Sequence, residues 1–455
     1  MDERAIAELI ERDREHQIHP LHHPNDHARP LILVKGEGAL VTDAEGKTYL
    51  DGLACLWNVN VGHGRAELAE AAARQMRELA YCSNYIGSAN IPSIELAERL
   101  VGLCPPNMQA AYFTCGGAES NESSIKTARH YWRLMGRPEK VKIISRLEAY
   151  HGVTTTAASA TGISSYWPTA EPRSPGFVHA LPPYAYRSPA GPDPRAAALA
   201  AADDIEALIL REGPETVAAV IGEPVMGAGG VIPPDPVYWP RVREICDKYE
   251  VLLIADEVIT GFGRTGRWFA MEHWGVQPDL MSVAKGITSG YLPLGAMVVS
   301  RPIFAALNSA PYAQRWMHAY TYSGHPTCCA VALANLDIIE REGLVEHAAR
   351  MGERLLNGLR SLAGLPTVGD VRGLGLMAAV ELVEDKDTRE PLAAATQVRL
   401  AALERGLIIR QKGSILMMAP PLMISEAQID QMVSIVGDSI AAVGHGAREA
   451  AGSRQ

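Results

Sequence analysis

The sequence predicts an α/β protein with a large domain built on a mostly parallel sheet and a smaller α+β domain. Short apolar runs between residues 110 and 299 alternate with helical patterns, which is the rhythm of βαβ units. The runs are apolar throughout, as is typical of strands that helices cover on both faces. They read AAYFTC, KVKIIS, TVAAVIG, VLLIA, LMSVA and GAMVV.

The chain of 455 residues is too long for one domain, because single hydrophobic cores stop growing near roughly 250 to 300 residues. We expect residues 1–60 to form an N-terminal arm and part of the small domain. Residues 61–330 should form the large domain, and residues 331–455 the C-terminal small domain.

Two helices are predicted at the ends of the chain. Ile6, Leu9 and Ile10 share one face of an N-terminal helix. Near the C-terminus, Ser425 and Gln428 have the spacing of a capping box ahead of an apolar stripe. Between the predicted strands, the Pro-rich residues 167–194 are expected to form a long loop.

Composition narrows the class of protein. The 52 acidic residues outnumber the 42 basic ones, and no dense basic run marks a nucleic-acid site. No stretch of eighteen apolar residues is present to indicate a membrane span. The seven cysteines are scattered without a C-x-x-C pair. We therefore expect a cytoplasmic protein without a metal centre and without nucleic-acid or membrane partners.

The run AAYFTC is followed by Gly116, Gly117 and Ala118 and then by a helical pattern. Bare backbone N–H groups at a helix N-terminus suit a phosphate, because the helix dipole favours an anion there. An ordinary small-residue turn between a strand and a helix is an equally good interpretation of these three residues alone.

Four more runs end in residues that can carry chemistry. Tyr150 and Glu223 follow KVKIIS and TVAAVIG, while Asp256 and Lys285 directly follow VLLIA and LMSVA. In open α/β sheets, ligands bind beyond the carboxyl ends of the strands. A single lysine there more often extends to solvent. Asp256 and Lys285 together with the predicted phosphate site, however, fit pyridoxal 5′-phosphate (PLP). Lys285 would form the Schiff base, and Asp256 would pair with the ring nitrogen.

A competing motif lies just after VLLIA. Gly261, Gly263 and Gly266 spell G-x-G-x-x-G, and Asp279 follows, as in dinucleotide-binding proteins. In that fingerprint the first glycine stands in the tight turn after the strand. Here five residues, 256–260, intervene, so we interpret the motif as a chance match.

Several segments resemble class III aminotransferases of PLP fold type I, and most closely the ω-amine:pyruvate transaminases. The resemblance runs from about residue 50 to residue 442. The most specific segment contains the elements D-E-V, G-F-G-R-T-G and A-K-G in order. The matching segments are DGLACLWNVNVGHG, GEPVMGAGGVIPP, VLLIADEVITGFGRTGRWFAMEHWGVQPDLMSVAKGITSGYLPLGAM and TYSGHPTCCAVALAN.

The resemblance implies a role for each cofactor residue. Lys285 and Asp256 are the catalytic pair, Val258 and Tyr150 pack on the two faces of the cofactor ring, and Glu223 supports the site. The phosphate is held by Gly116, Gly117 and Ala118 and, from the partner subunit of a homodimer or dimer of dimers, by Thr321 with Tyr320 beside it.

The phosphate site departs from the family pattern. The family usually has Ser-Gly-Ser where this chain has Gly116, Gly117 and Ala118. Two hydroxyl donors are therefore missing. Each lost hydrogen bond should weaken PLP binding by about 1 kcal/mol.

The resemblance also implies the substrate site. Leu56, Trp57, Ala228 and Ile259 would form apolar walls beside Tyr150, and Arg410 would bind a substrate carboxylate. The implied reaction transfers an amino group from a primary amine, ω-amine or ω-amino acid to pyruvate, through a pyridoxamine phosphate intermediate. Aminotransferases of β-alanine, taurine or 4-aminobutyrate share the same cofactor residues and remain alternatives, as does another PLP reaction on this fold.

Overall fold

A computed structural model describes the backbone of residues 1–452 and the side chains of residues 1–443. The strands in chain order are β1 Leu33–Glu37, β2 Leu40–Asp43, β3 Thr48–Asp51, β4 Met108–Thr114, β5 Lys142–Arg146, β6 Phe177–Ala180, β7 Val217–Gly222, β8 Leu252–Asp256, β9 Leu280–Val283, β10 Gly295–Ser300, β11 Val368–Gly373, β12 Ala378–Leu382, β13 Leu407–Ile408, β14 Arg410–Lys412 and β15 Ile415–Met418. The α-helices are α1 Glu3–His16, α2 Ala54–Trp57, α3 Ala66–Leu79, α4 Ile91–Leu103, α5 Gly117–Leu134, α6 Thr155–Ala160, α7 Trp167–Ala170, α8 Pro194–Glu212, α9 Tyr238–Lys248, α10 Arg301–Ser309, α11 Pro326–Arg341, α12 Leu344–Arg360, α13 Ala395–Glu404 and α14 Glu426–Gly452.

The largest sheet has the strand order β4-β10-β9-β8-β7-β5-β6. Strand β10 runs in the direction opposite to the other six strands, and every pairing without β10 is parallel. The sheet is therefore mostly parallel, as predicted. Every residue of β7, β8, β9 and β10 is buried, which explains why these runs are apolar throughout. The six predicted runs correspond to β4, β5, β7, β8, β9 and β10.

The prediction of a loop throughout residues 167–194 is wrong in two places. The short helix α7 opens this connection, and β6 extends the large sheet by pairing in parallel with β5. Phe177 lies opposite Ile143, and Ala180 lies opposite Arg146. An edge strand pairs on one side only, so four residues between Pro- and Gly-rich flanks are enough to form it.

Two smaller sheets combine distant parts of the chain. The first has the order β1-β2-β3-β13, and β13 pairs in parallel with β3 through Leu407 and Leu50. The second has the antiparallel order β11-β12-β15-β14. N-terminal residues thus share a sheet with the C-terminal region, whereas the domain boundaries at residues 60/61 and 330/331 stay predictions.

Both predicted terminal helices form, as α1 and α14. Asp2 caps α1 by accepting a hydrogen bond from the Ala5 backbone N–H at 2.8 Å. Ser425 and Gln428 form the predicted capping box ahead of α14. Among the described residues, no helix combines the length and the apolar character needed to cross a lipid bilayer.

Candidate active site

The carboxyl ends of the parallel strands meet at one edge of the large sheet and surround a cavity of about 460 Å³, here called the inner cavity. Asp256 ends β8, and Lys285 follows β9 after one residue. The structure brings the sequence-predicted cofactor residues of one chain together around this cavity. Its lining includes Gly116, Gly117, Ala118, Tyr150, Glu223, Asp256, Val258 and Lys285.

Lys285 occupies an uncommon backbone conformation. Its φ angle is 46°, in the left-handed region that residues with a Cβ rarely adopt. Such residues cluster at functional sites, where the surrounding structure enforces the conformation. Burial lowers the pKa of the Lys285 amine to about 8, although the nearby Asp256 and Glu223 carboxylates oppose this shift. With this pKa about one Lys285 amine in ten would be neutral at pH 7, compared with fewer than about one in a thousand for an ordinary lysine.

Asp256 is held by a set of hydrogen bonds on the cavity floor. Its Oδ2 lies 2.7 Å from Nδ1 of His151 and accepts a hydrogen bond of 2.7 Å from Nδ2 of Asn121. Its Oδ1 accepts from the Val258 backbone N–H at 3.1 Å. An ionised carboxylate can only accept hydrogen bonds, so His151 donates from Nδ1. These bonds fix the direction of the carboxylate.

The sequence did not assign a role to His151 or Asn121. His151 adjoins Tyr150 in the chain, and Asn121 lies one turn into α5, so both stood next to predicted residues. Each is buried, and His151 Nε2 and Asn121 Oδ1 have no hydrogen-bond partner among the described residues. The sequence contains one indication of these two residues, which is that each lies within a few positions of a residue predicted to bind the cofactor.

Glu223 supports the backbone of the site. Its two carboxylate oxygens accept hydrogen bonds from the backbone N–H groups of Tyr150, at 3.1 Å, and Gly227, at 2.7 Å. Burial raises the pKa of Glu223 above its ordinary value. The side chain thus ties the loop that carries Tyr150 to the end of β7.

The N-terminus of α5 borders the inner cavity and presents small residues to it. A Cβ atom built on Gly117 would lie 2.8 Å from Cγ1 of Val258, so only glycine allows this close packing. A Cβ atom on Gly116 would meet no atom within 4 Å, and its φ of −179° is open to any residue. The structure therefore has room for a serine side chain at position 116, although the chain has glycine there.

A second cavity of about 890 Å³, the outer cavity, adjoins the first and shares Leu56, Tyr150, Ile259 and Lys285 with it. All of the sequence-predicted substrate residues line it: Leu56, Trp57, Tyr150, Ala228, Ile259 and Arg410. The sequence missed Tyr166, whose ring centroid lies 5.4 Å from that of Tyr150, and Arg399.

Tyr320 and Thr321 lie apart from the other predicted residues of their own chain. The Tyr320 backbone N–H donates to the Tyr112 hydroxyl at 2.9 Å, and the Thr321 carbonyl accepts from the Tyr81 hydroxyl at 2.8 Å. Neither residue lines the inner or the outer cavity.

The glycine motif after β8 does not open a helix. Residues 261–268 form turns, and the next helical element is a 3-10 helix over Ala270–Trp274. A Cβ atom on Gly263 would lie 2.9 Å from Cδ1 of Leu422, and one on Gly266 would lie 2.7 Å from Cβ of Ala349. Both glycines have positive φ angles, so they serve tight packing and turns.

The inner cavity fits PLP. A lysine with a lowered pKa and a buried, hydrogen-bonded aspartate line the same cavity as a helix N-terminus with bare backbone donors. These are the groups that a pyridine aldehyde phosphate needs at its aldehyde carbon, ring nitrogen and phosphate. Lys285, Asp256 and the backbone of residues 116–118 would hold it.

Comparison with known proteins agrees with this chemistry. The family model "Aminotransferase class-III" matches residues 22–440. The putrescine–pyruvate aminotransferase of Pseudomonas aeruginosa is 42% identical over 89% of this chain and 89% of its own length. The diaminobutyrate–2-oxoglutarate transaminase of Halomonas elongata is 40% identical over 94% of each chain.

Solved structures show the same relationship. The crystal structure of an (S)-enantioselective ω-transaminase from Thermomicrobium roseum has a TM-score of 0.93 and 50% identity, covering 96% of this chain and 98% of its own. The family model and these relatives span most of the chain. The chain therefore belongs to the class III aminotransferases, which use PLP.

Proposed function

We propose that this aminotransferase transfers the amino group of a primary amine, ω-amine or ω-amino acid to pyruvate, which gives alanine. The observation that carries this proposal is an outer cavity that opens onto Lys285 and combines apolar walls with Arg410. Leu56, Trp57 and Ile259 favour an uncharged part of an amine. The guanidinium group of an arginine can bind the carboxylate of a keto acid or an ω-amino acid through a bidentate pair of hydrogen bonds.

In this proposal, Lys285 holds the cofactor and moves the proton. PLP, when bound, supplies an electron sink for the carbon that carries the amino group. Nζ of Lys285, with its pKa lowered to about 8, would take the proton from that carbon as a base and then, as an acid, deliver the same proton to the carbon of the cofactor that receives the amino group. Asp256, oriented by its hydrogen bonds with His151 and Asn121, would pair with the ring nitrogen.

The remaining residues position the reactants. Val258 and Tyr150 both line the inner cavity, and in this proposal they pack on the two faces of a flat ring. The backbone N–H groups at the start of α5 would bind the phosphate. Thr321 and Tyr320 would reach the phosphate from a partner subunit, so we infer a homodimer or a dimer of dimers.

A second acceptor, 2-oxoglutarate, is favoured by one specific observation. Arg399 lines the outer cavity together with Arg410, and two guanidinium groups can bind the two carboxylates of this keto acid. The name of the Halomonas elongata relative contains 2-oxoglutarate, whereas that of the Pseudomonas aeruginosa relative contains pyruvate.

The acceptor is decided by incubating the PLP-loaded enzyme with 1-phenylethylamine, putrescine or β-alanine and either keto acid. The products are quantified as alanine or glutamate. We expect alanine from pyruvate, with at least one of the three donors, at a higher kcat/KM than glutamate from 2-oxoglutarate. Glutamate as the main product would overturn the choice of pyruvate. Consumption of the amine without either amino acid would indicate a different PLP reaction.

A further inference from the structure

Three side chains that can bind a metal ion meet outside both cavities. Asp51 ends β3, Cys55 lies in the short helix α2, and His63 lies in the loop before α3. Their donor atoms all lie within 4.8 Å of one another. Oδ2 of Asp51 is 2.9 Å from Nε2 of His63, and Sγ of Cys55 is 3.8 Å from the same nitrogen.

The arrangement differs from a catalytic Cys-His-Asp triad. In such a triad the carboxylate binds one ring nitrogen of the histidine, and the nucleophile faces the other. Here the Cys55 thiol and the Asp51 carboxylate both face Nε2 of His63. Donors that converge on one point suit a cation bound between them, and they do not suit a proton relay.

The spacing of the donors is close to that of a zinc site. Zinc bonds of about 2.3 Å to sulfur and about 2.0 to 2.1 Å to nitrogen or oxygen, in tetrahedral geometry, separate sulfur from nitrogen by roughly 3.6 Å and nitrogen from oxygen by roughly 3.3 Å. The corresponding distances here are 3.8 Å and 2.9 Å. Both distances differ from the tetrahedral values by a few tenths of an ångström, and the third pair of donors, Cys55 Sγ and Asp51 Oδ2, lies within 4.8 Å.

Neighbouring backbone groups hold two of the donors in place. Asp51 accepts hydrogen bonds from the backbone N–H groups of Leu53, at 3.2 Å, and Cys55, at 2.8 Å. The backbone of His63 exchanges hydrogen bonds of 3.0 Å and 2.8 Å with Gly38. A Cβ atom on Gly36 would lie only 2.7 Å from Cγ of His63, so this glycine lets the chain lie against the imidazole ring. Outer contacts of this kind orient metal ligands.

The backbone that presents Cys55 is also unusual. Ala54 and Cys55 have φ angles of 48° and 55°, in the left-handed region that is costly for both residues. Residues in such conformations cluster at functional sites. Asp51 is almost fully buried and His63 largely so, whereas Cys55 is exposed, which leaves a path for an ion and for water.

We propose that Cys55 Sγ, His63 Nε2 and Asp51 Oδ2 form a binding site for Zn²⁺, with water at the fourth position. Thiolate and imidazole ligands select a soft or borderline divalent ion over Mg²⁺ or Ca²⁺. Nε2 of His63 faces the Asp51 carboxylate, which can only accept a hydrogen bond, so Nε2 carries the imidazole proton before the ion binds. On binding, the Cys55 thiol releases its proton to solvent, and the imidazole proton moves by exchange with solvent from Nε2 to Nδ1, which leaves Nε2 free for the ion. The bound ion would fix the short helix α2, whose residues Leu56 and Trp57 line the outer cavity.

The test titrates the PLP-loaded enzyme with Co²⁺, followed by difference absorption against the same enzyme without metal. We expect a thiolate-to-cobalt charge-transfer band that saturates at one Co²⁺ per chain and disappears when Zn²⁺ is added. Cys55→Ser should abolish the band, and His63→Gln should weaken Co²⁺ binding by at least about tenfold. Cys82→Ser, which changes another free and partly accessible cysteine, should leave the band intact.

Two outcomes would overturn the proposal: no saturable band in the unaltered enzyme, or an equal band in Cys55→Ser. Far-ultraviolet circular dichroism and PLP content show whether each variant is folded. A second measurement needs no variant, because Zn²⁺ should protect Cys55 from alkylation as mapped by peptide mass spectrometry. Equal labelling of Cys55 with and without Zn²⁺ would also contradict the site.

Discussion

The Asp256 carboxylate is held by two side chains, His151 and Asn121, that the sequence did not single out. A hydrogen bond to a charged group contributes about 1.5 to 3 kcal/mol. We therefore expect His151→Ala to lower kcat by roughly 10- to 100-fold, because Asp256 would hold the ring nitrogen less firmly.

Steady-state kinetics with the PLP content of each preparation measured in parallel check this expectation. The matched control is His16→Ala, which alters an exposed histidine of α1 and should leave kcat unchanged. An unchanged kcat in His151→Ala would show that Asp256 does not depend on His151.

The pKa of Lys285 predicts how the cofactor-free enzyme takes up PLP at different pH values. Burial lowers this pKa from 10.5 to about 8, and only the neutral amine can attack the aldehyde carbon. The rate of PLP uptake should therefore rise with pH, by up to about tenfold per unit, and level off above about pH 8.

Stopped-flow absorbance between about pH 6 and pH 10, with far-ultraviolet circular dichroism as a control for folding, measures this profile. A rate that keeps rising to about pH 10 would mean that the reacting lysine has an ordinary pKa. In that case burial would not be the feature that prepares Lys285 for its role.

The sequence predicts some residues of the site better than others for a physical reason. Lys285 and Asp256 directly follow buried strands, so the carboxyl edge of a parallel sheet brings them together in any such fold. His151 and Asn121 act through hydrogen bonds that span 105 and 135 residues of sequence. No local pattern encodes those contacts, since they depend on the docking of α5 and a loop against β8.

At the scale of elements, the N-terminus of α5 predicts how PLP affinity can be raised. Gly116→Ser would add a hydroxyl beside the expected phosphate, at a position where the new Cβ meets no atom within 4 Å. One additional hydrogen bond contributes about 1 kcal/mol, so the Kd for PLP should fall about fivefold. Equilibrium binding to the cofactor-free enzyme measures the change.

The neighbouring glycine provides the control. Gly117→Ser places a Cβ 2.8 Å from Cγ1 of Val258 and must displace that side chain. This substitution should weaken PLP binding although it adds the same hydroxyl group. If Gly116→Ser also weakens binding, the phosphate does not lie where we expect it.

The elements that the sequence predicts correctly are those with a continuous apolar run. Strands β7 to β10 are buried along their whole length, so their composition alone indicates them. Strand β6 has four residues, only one of them fully buried, and lies at the sheet edge. Its formation depends on pairing with β5, which the sequence of residues 177–180 does not encode.

At the scale of the whole molecule, the pairing of β13 with β3 connects residues more than 350 positions apart. The composition of a two-residue strand cannot reveal such a partner. We also expect Thr321 to act in the site of a neighbouring subunit, and this contact, too, cannot be recognised from local sequence. Mixed oligomers test it.

We predict that two inactive variants complement each other when their subunits are mixed. Lys285→Ala lacks the reacting amine, and Thr321→Asp places a carboxylate against the expected phosphate. A mixed dimer would contain one site with an intact Lys285 and an intact Thr321 from the other chain. Activity should therefore return after the two variants are unfolded and refolded together, relative to each refolded alone. Absence of recovery would mean that Thr321 acts within its own chain or not at all.

Covalent trapping of the cofactor shows whether Lys285 carries it. The PLP-loaded enzyme is reduced with sodium borohydride, digested, and analysed by peptide mass spectrometry for a pyridoxyl group. We expect the modification on the peptide that contains Lys285, and its loss when the enzyme is first incubated with an amine donor. Modification of a different lysine, with Lys285 unmodified, would show that Lys285 does not carry the cofactor.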